Sequence, residues 1–552
     1  MQFFVMTIAL IAAHFVAAQD TSSNTVRGRV VNALTDQPIA RVEVTLNQDC
    51  AVLTDNEGQF AFEHVSSGDV MVGVRKPGYL GAGQHDGKDT VFTSPVSAHG
   101  PPATQYRVHV GGKLTELTVK LSPGATIAGQ VMLSGSDPGE GIRVTAYRRE
   151  TQNGHPHWSL AGTASTNSEG IFHVGDLPSG SYMLYTQLQF DGENDPATND
   201  EKWGYPSAYY PGVTDPSAAG IITLTAGKTV ETDLSLARQR FDPITARVWV
   251  SPTGVQASFQ ILDRWERPTG IPVSYDGQRQ LLHADVPKGF WILEGHAIGA
   301  TRSYGRTEFQ VAAAPVTFGI NILPIPRIPV IIRREFNSPR ASDSRAMPPG
   351  AGMNLNLVST HAFGSEGALG RQFHPESESD DNVWVGTVEA TPGRYWIDTP
   401  AWIGYVASIT SGGDDLTRES LEISLESSQP PIEIVLRNDS GNISGQIFGQ
   451  LRDDSKSTTA SDAQSETYIY AIPLFATTAQ LAKAVLQRDG KFTISNLPPG
   501  PYRVVACDSP QEPDFNAAEA TGVLDGKGKV ITVDAGGTSR LQLDVIHMET
   551  QK

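Results

Sequence analysis

Apolar and polar residues alternate along most of this chain in runs of about four to eight, each closed by Gly, Pro, Asn or Asp. A period of two sends successive side chains to opposite faces, so the pattern predicts half-buried β-strands. The stretch SEGIFHVGDLPSGSYMLYT, residues 168–186, shows the unit. Phe172 and Val174 mark one strand, Pro178 and Gly180 a tight turn, and Tyr182 and Leu184 the next strand, with both side chains expected in the core. Strands joined this closely predict an antiparallel hairpin.

The same turn returns as HVSSGDVMV, DVPKGFWIL, EATPGRYWI and NLPPGPYRV, with its glycine at Gly68, Gly289, Gly393 and Gly500 beside Gly180. Successive spacings are 112, 109, 104 and 107 residues, one domain length each time. Ten residues upstream, Gly58, Gly170 and Gly490 each follow polar turn residues and precede Phe60, Phe172 and Phe492. Earlier strands are RGRVV at 27–31, IAGQVML at 127–133 and ISGQIFG at 443–449, each followed by a second apolar-alternating run. Six or seven short strands per hundred residues describe β-sandwiches. The fold expected is all-β, a tandem array of about five antiparallel β-sandwiches over 25–122, 123–237, 238–325, 326–437 and 438–548. TTAQLAKAVLQ, 477–487, is the main helix-like exception.

GRVVNALTDQPIARVEVTL followed by TDNEGQFAFEHVSSGDVMVGVRKPGY resembles the carboxypeptidase regulatory-like domain, with its transthyretin-like (prealbumin-like) sandwich in the wider Ig-like class. Repeats one, two and five carry its ordered Gly-x-Val, Gly-x-Phe and Pro-x-Gly-x-Tyr elements, although repeat five has Ile447 for the Val and repeat one has Val65-Ser66-Ser67-Gly68 and Val70 at the last. Repeats three and four keep the final turn but have Arg279 and Val383 in place of the upstream glycine. The resemblance implies an accessory module rather than the zinc peptidase it can accompany. Its fold likeness to starch-binding and collagen-adhesin modules implies carbohydrate or protein binding by analogy.

The 60 acidic against 42 basic residues give a net charge of −18, which argues against a nucleic-acid partner. At the N-terminus an apolar run from Phe3 to Ala13 precedes Ala17 and Ala18, so residues 1–19 read as a signal peptide. The expected location is exported: periplasmic, cell-surface or extracellular. No later run approaches the ~20 apolar residues of a spanning helix. Cys50 and Cys507 cannot build a disulfide framework, and both are expected to be small buried side chains.

Catalytic signatures are missing. No His begins a His-x-x-Glu, no Gly-x-Ser-x-Gly elbow occurs, and neither cysteine lies in a nucleophile motif. No catalytic residue, cofactor or metal is therefore assigned. His155 and His157 read as loop histidines, and Asp191, Glu193, Asp195 and Asp200 as a solvated acidic loop. Asn438 and Asn442 head Asn-x-Ser sequons. An isopeptide cross-link would need a Lys in the opening strands, where Arg27, Arg29, Gln130 and Gln446 stand instead.

The candidate binding residues are Trp203, Tyr205, Tyr209 and Tyr210, in WGYPSAYYPGVTDPSAAG at 203–220. Flat rings with polar edges stack on sugar faces. The plainer alternative folds this insertion over a sandwich edge and buries its rings. A second patch offers Trp396, Trp402 and Tyr405. The function expected is a non-catalytic exported binding or scaffold protein with a glycan or cell-surface protein partner. The alternatives are a hydrolase whose site assembles between domains, and an accessory module of an outer-membrane receptor system.

Overall fold

The computed structural model describes residues 24–546 except 48, 82–90, 94–103, 112–113, 153–154, 192–201, 252–254, 300, 313–314, 337–352, 361–362, 364–368, 374–376, 381–382, 400–403, 418, 426–428, 448–466, 476–481, 487–489 and 508–527. The signal-peptide reading, Trp402 and most of the acidic loop lie outside these residues. The fold is all-β, built as a series of β-sandwich repeats. The first repeat forms one compact unit and the later repeats another.

Each repeat uses one scheme. In the first, the opening strand Asn24–Asn32 lies between Gln59–Val65, antiparallel, and Leu114–Pro123, parallel. The facing sheet runs Cys50–Leu53, Glu43–Leu46, Gly68–Arg75, Thr104–Val110, Val91–Thr93. The sandwiches are thus antiparallel except where the opening strand meets the closing strand and, in the last repeat, where Val545–Ile546 runs parallel to Gly500–Cys507. The parallel pairing of opening and closing strands recurs at Ala125–Leu133 with Thr229–Glu231 and Leu234–Leu236, Gln239–Val250 with Val316–Pro324, Arg327–Glu335 with Ile432–Arg437, and Gly441–Ile447 with Thr538–Leu543.

The turn motif has one geometry in all five repeats. Gly68, Gly180, Gly289, Gly393 and Gly500 have φ of 125°, 150°, 153°, 151° and 152°, a region closed to residues with a Cβ. Two residues later an aromatic donor reaches back over the turn. Tyr182 Oη donates to Pro178 O at 2.5 Å, Trp291 Nε1 to Pro287 O at 2.9 Å, Tyr395 Oη to Thr391 O at 3.0 Å and Tyr502 Oη to Pro498 O at 2.8 Å. The ring fills the core while its polar tip satisfies a turn carbonyl, which explains why Tyr or Trp stands there. In repeat one Val70 cannot donate, and only the packing remains.

Repeats one, two and five share a bulge that three and four lack. Glu63–His64, Gly175–Asp176 and Ser495–Asn496 each oppose a single residue of the opening strand. His64, Asp176 and Asn496 take φ of 60°, 56° and 63° there. The Gly-x-Val element also has a steric reason. Phe60, Phe172 and Phe492 pair directly with Gly28, Gly129 and Gly445. A Cβ on Gly129 would sit 1.7 Å from Thr232 O and 3.2 Å from the Phe172 ring.

Three local expectations are corrected. Ala482–Val485, within the helix-like 477–487, is a strand paired with Tyr468–Pro473. His155 and His157 belong to the strand His155–Ser165, not to a loop. Cys50 is exposed on its strand, whereas Cys507 is buried in the last sandwich.

Candidate functional site

The insertion after the second repeat's hairpin is built into two sandwiches. Its Ala208–Tyr209 pairs with Gly180–Thr186, extending the second repeat's own sheet. Its Lys202–Tyr205 pairs on one side with Gln189–Phe190 and on the other with Gln239–Val250, the opening strand of the third repeat. Lys202 Nζ also meets Asp285 Oδ2 at 2.5 Å. The chain then closes through a cis Tyr210–Pro211 peptide and a short 3-10 turn, Pro216–Ala218, capped by Asp215. Hydrogen bonds from Ser217 hold the Asp215 carboxyl below its ordinary range.

These pairings decide where the four candidate rings lie. Tyr205 and Tyr209 are buried, at 9% and 1% exposure. Tyr210 is half-buried against the second repeat's core. Trp203 keeps 36% of its surface exposed, with the Arg238 guanidinium 5.0 Å from its ring centroid and Asp191 2.7 Å from Arg238. Of the four candidate rings, two are therefore interior, as the alternative of burial over a sandwich edge has it, and Trp203 presents the most ring surface. In the second patch Tyr405 is buried and donates to Asp439 Oδ1 at 2.8 Å. Burial and that carboxylate push its pKa up to about 12.

Around Tyr209 the second, third and fourth repeats meet. Tyr209 Oη donates to Asp263 Oδ2 at 2.6 Å, and burial foremost pushes its pKa far above the ordinary phenol range, so it stays a donor. Asp263 Oδ1 accepts from Trp265 N at 2.8 Å and Arg267 N at 3.0 Å, fixing the turn that carries Arg267. Arg267 is 5% exposed, its guanidinium carbon 3.2 Å from the Tyr185 ring centroid, 4.5 Å from Tyr147, 5.0 Å from Phe363 and 5.2 Å from Tyr209. A desolvated cation among four aromatic faces gains about 2 kcal/mol or more from ring quadrupoles. The strand Gly180–Thr186 is consequently buried on both faces. Tyr182 and Leu184 enter the sandwich core as expected, while Met183 and Tyr185 enter this junction.

A polar cluster on the third repeat escaped the sequence reading because its members come from separate strands. Glu294 accepts from Gln260 Nε2 at 2.5 Å and Tyr304 Oη at 3.0 Å, with His296 Nε2 3.3 Å away. Arg306 pairs with Glu266 nearby. Burial alone would raise the Glu294 pKa, but hydrogen bonds from His296 and Gln260 outweigh it, and the carboxyl is held below its ordinary range. Glu294 is thus an ionised acceptor at neutral pH, suited to binding donors rather than to delivering a proton. Among the described residues no three His, Cys, Asp or Glu side chains gather as a metal set, and no helix is long and apolar enough to cross a membrane. Asn438 is 8% exposed, which hides the first sequon.

Residues 25–122 match the carboxypeptidase regulatory-like domain family. No curated protein matches the chain. Among solved structures, the Bacillus anthracis TIE protein is 10% identical over 75% of this chain and 67% of its own, with a TM-score of 0.14. The minor pilin GBS52 of Streptococcus agalactiae is 14% identical over 39% and 95%, with a TM-score of 0.20. The full-length RrgB pilus protein of Streptococcus pneumoniae is 10% identical over 78% and 99%, with a TM-score of 0.14. At these TM-scores the likenesses say nothing about function. The chain is an all-β repeat protein whose first repeat carries the carboxypeptidase regulatory-like pattern.

Proposed function

We propose that this chain is an exported, non-catalytic scaffold, divided at 25–122, 123–237, 238–325, 326–437 and 438–548, that holds a partner-binding surface in fixed geometry. The carrying observation is the insertion: its strand Lys202–Tyr205 pairs with the third repeat's Gln239–Val250, and its Tyr209 is bonded to Asp263. Successive sandwiches that share a sheet and a buried cation cannot pivot freely, which suits presentation of a partner more than a flexible tether does. A glycan reading survives at Trp203, whose exposed ring lies beside Arg238 and Asp191, groups able to bond sugar hydroxyls.

A glycan-array screen of the mature chain and of Trp203→Ala separates the two readings. The scaffold reading predicts no glycan signal that depends on Trp203. A signal lost at least about tenfold in Trp203→Ala would move the assignment to glycan recognition.

A further inference from the structure

Among the described residues, the third repeat shows no counterpart of a strand found in each of the other repeats. In repeats one, two, four and five the strand beside the motif hairpin is flanked on its outer side by a further antiparallel strand. The pairs are Glu43–Leu46 with Cys50–Leu53, Arg143–Gln152 with His155–Ser165, Met353–Ser359 with Leu369–Phe373, and Tyr468–Pro473 with Ala482–Val485. The counterpart in repeat three, Gln256–Leu262, pairs with Gly289–Ile298 and ends its sheet. The chain beyond it passes Pro268 and Pro272, which have no N–H for a ladder, and Ser274–Asp276 pairs with Leu281–Pro287 instead.

Among the described residues, only the end of this edge is covered within the chain. Thr269 N donates to Ile261 O at 3.0 Å, and Leu262 bridges Pro268. Main-chain groups two residues apart point the same way, so those of Ala257 and Phe259 also face outward. Among the described residues no strand or bridge meets them. Exposed edges are ordinarily blunted by Lys, Pro, a bulge or an inward charge. QASFQIL carries none of these, although the chain around it has a net charge of −18.

We propose that this edge pairs antiparallel with the same edge of a second copy of the chain. The four filled repeats show the occupant this position takes, an antiparallel strand, and the segment is complementary to itself. A two-fold axis through Ser258 sets Ser258 opposite the other copy's Ser258 as a non-hydrogen-bonded pair. Ala257 and Phe259 then exchange main-chain bonds with the other copy's Phe259 and Ala257, large side chain beside small. Gln256 faces Gln260, and no charge opposes a like charge. Both apolar side chains already lean on the third repeat's core, with Phe259 4.9 Å from the Tyr275 ring, so the added strand continues an existing apolar layer.

Sedimentation velocity on the full mature chain tests this. The mass is expected to rise from one chain to two as concentration passes through the micromolar range. Ala257→Pro removes an outward N–H without touching the ladder to Gly289–Ile298, and should weaken association at least about tenfold. Ser258→Lys, at an exposed position, sets two ammonium groups face to face and should do the same. In a Cys50→Ser background, Ser258→Cys treated with oxidised glutathione, which takes up the two thiols' electrons and protons as it is reduced, should give a covalent dimer, because non-hydrogen-bonded pairs bring Cα atoms to about 4.5 Å. A single-chain mass at every concentration overturns the proposal, as does a dimer unchanged in both Ala257→Pro and Ser258→Lys.

Discussion

Gly129→Ala is expected to destabilise the second repeat by about 3 kcal/mol, read as a drop in the urea midpoint of its transition with an unchanged slope. A Cβ at this position would lie 1.7 Å from Thr232 O and 2.6 Å from Thr232 C. Both belong to backbone whose Thr232 N already donates to Ala128 O at 2.8 Å, so relief requires separating the opening and closing strands. Gly28 and Gly445 are equally confined: a methyl there would lie 2.1 Å from Leu117 O and 2.4 Å from Leu541 O, respectively. Gly175→Ala is the control: among the described residues only Thr126 Oγ1, at 3.8 Å, approaches its Cβ, and a change under about 1 kcal/mol is expected. Equal midpoints for Gly129→Ala and Gly175→Ala would show that the close strand approach is not what holds the Gly-x-Val element.

Arg267→Ala should have a comparable effect at the junction. The guanidinium fills the space between Tyr147, Tyr185, Tyr209 and Phe363, so truncation loses the cation–ring attraction and leaves a cavity. A loss of about 3 kcal/mol is expected, together with separation of one thermal transition into two as the second and third repeats uncouple. Arg267→Lys should recover only part, because an ammonium lacks the flat face that lies 3.2 Å from Tyr185. Calorimetry showing one unshifted transition for Arg267→Ala would remove the junction from the stability account.

Much of the architecture was legible because local chemistry dictates it. Turn glycines, alternation and the fixed spacing of the motif identified the hairpins and placed Tyr182 and Leu184 in the core, where they lie. What escaped depends on residues far apart in sequence. The fate of Tyr209 is set by Asp263 and Arg267, more than fifty positions on in another repeat, and nothing near Tyr209 announces them. The same holds for Glu294, whose partners Gln260 and Tyr304 reach it only across paired strands. Local propensity also misled. Ala, Leu, Lys and Gln in 477–487 favour helix in isolation, yet pairing with Tyr468–Pro473 draws Ala482–Val485 into a sheet. The Asp176 bulge left no trace beyond a residue type that tolerates positive φ.

The aromatic insertion welds the second repeat to the third. Hydrogen exchange on the intact chain, followed by mass spectrometry, tests this. The amides of Lys202–Gly204 and Ala208–Tyr209 are predicted to open with the same free energy as the strands they join, Gln239–Val250 and Gly180–Thr186. Rapid exchange across the insertion while both flanking strands stay protected would contradict it.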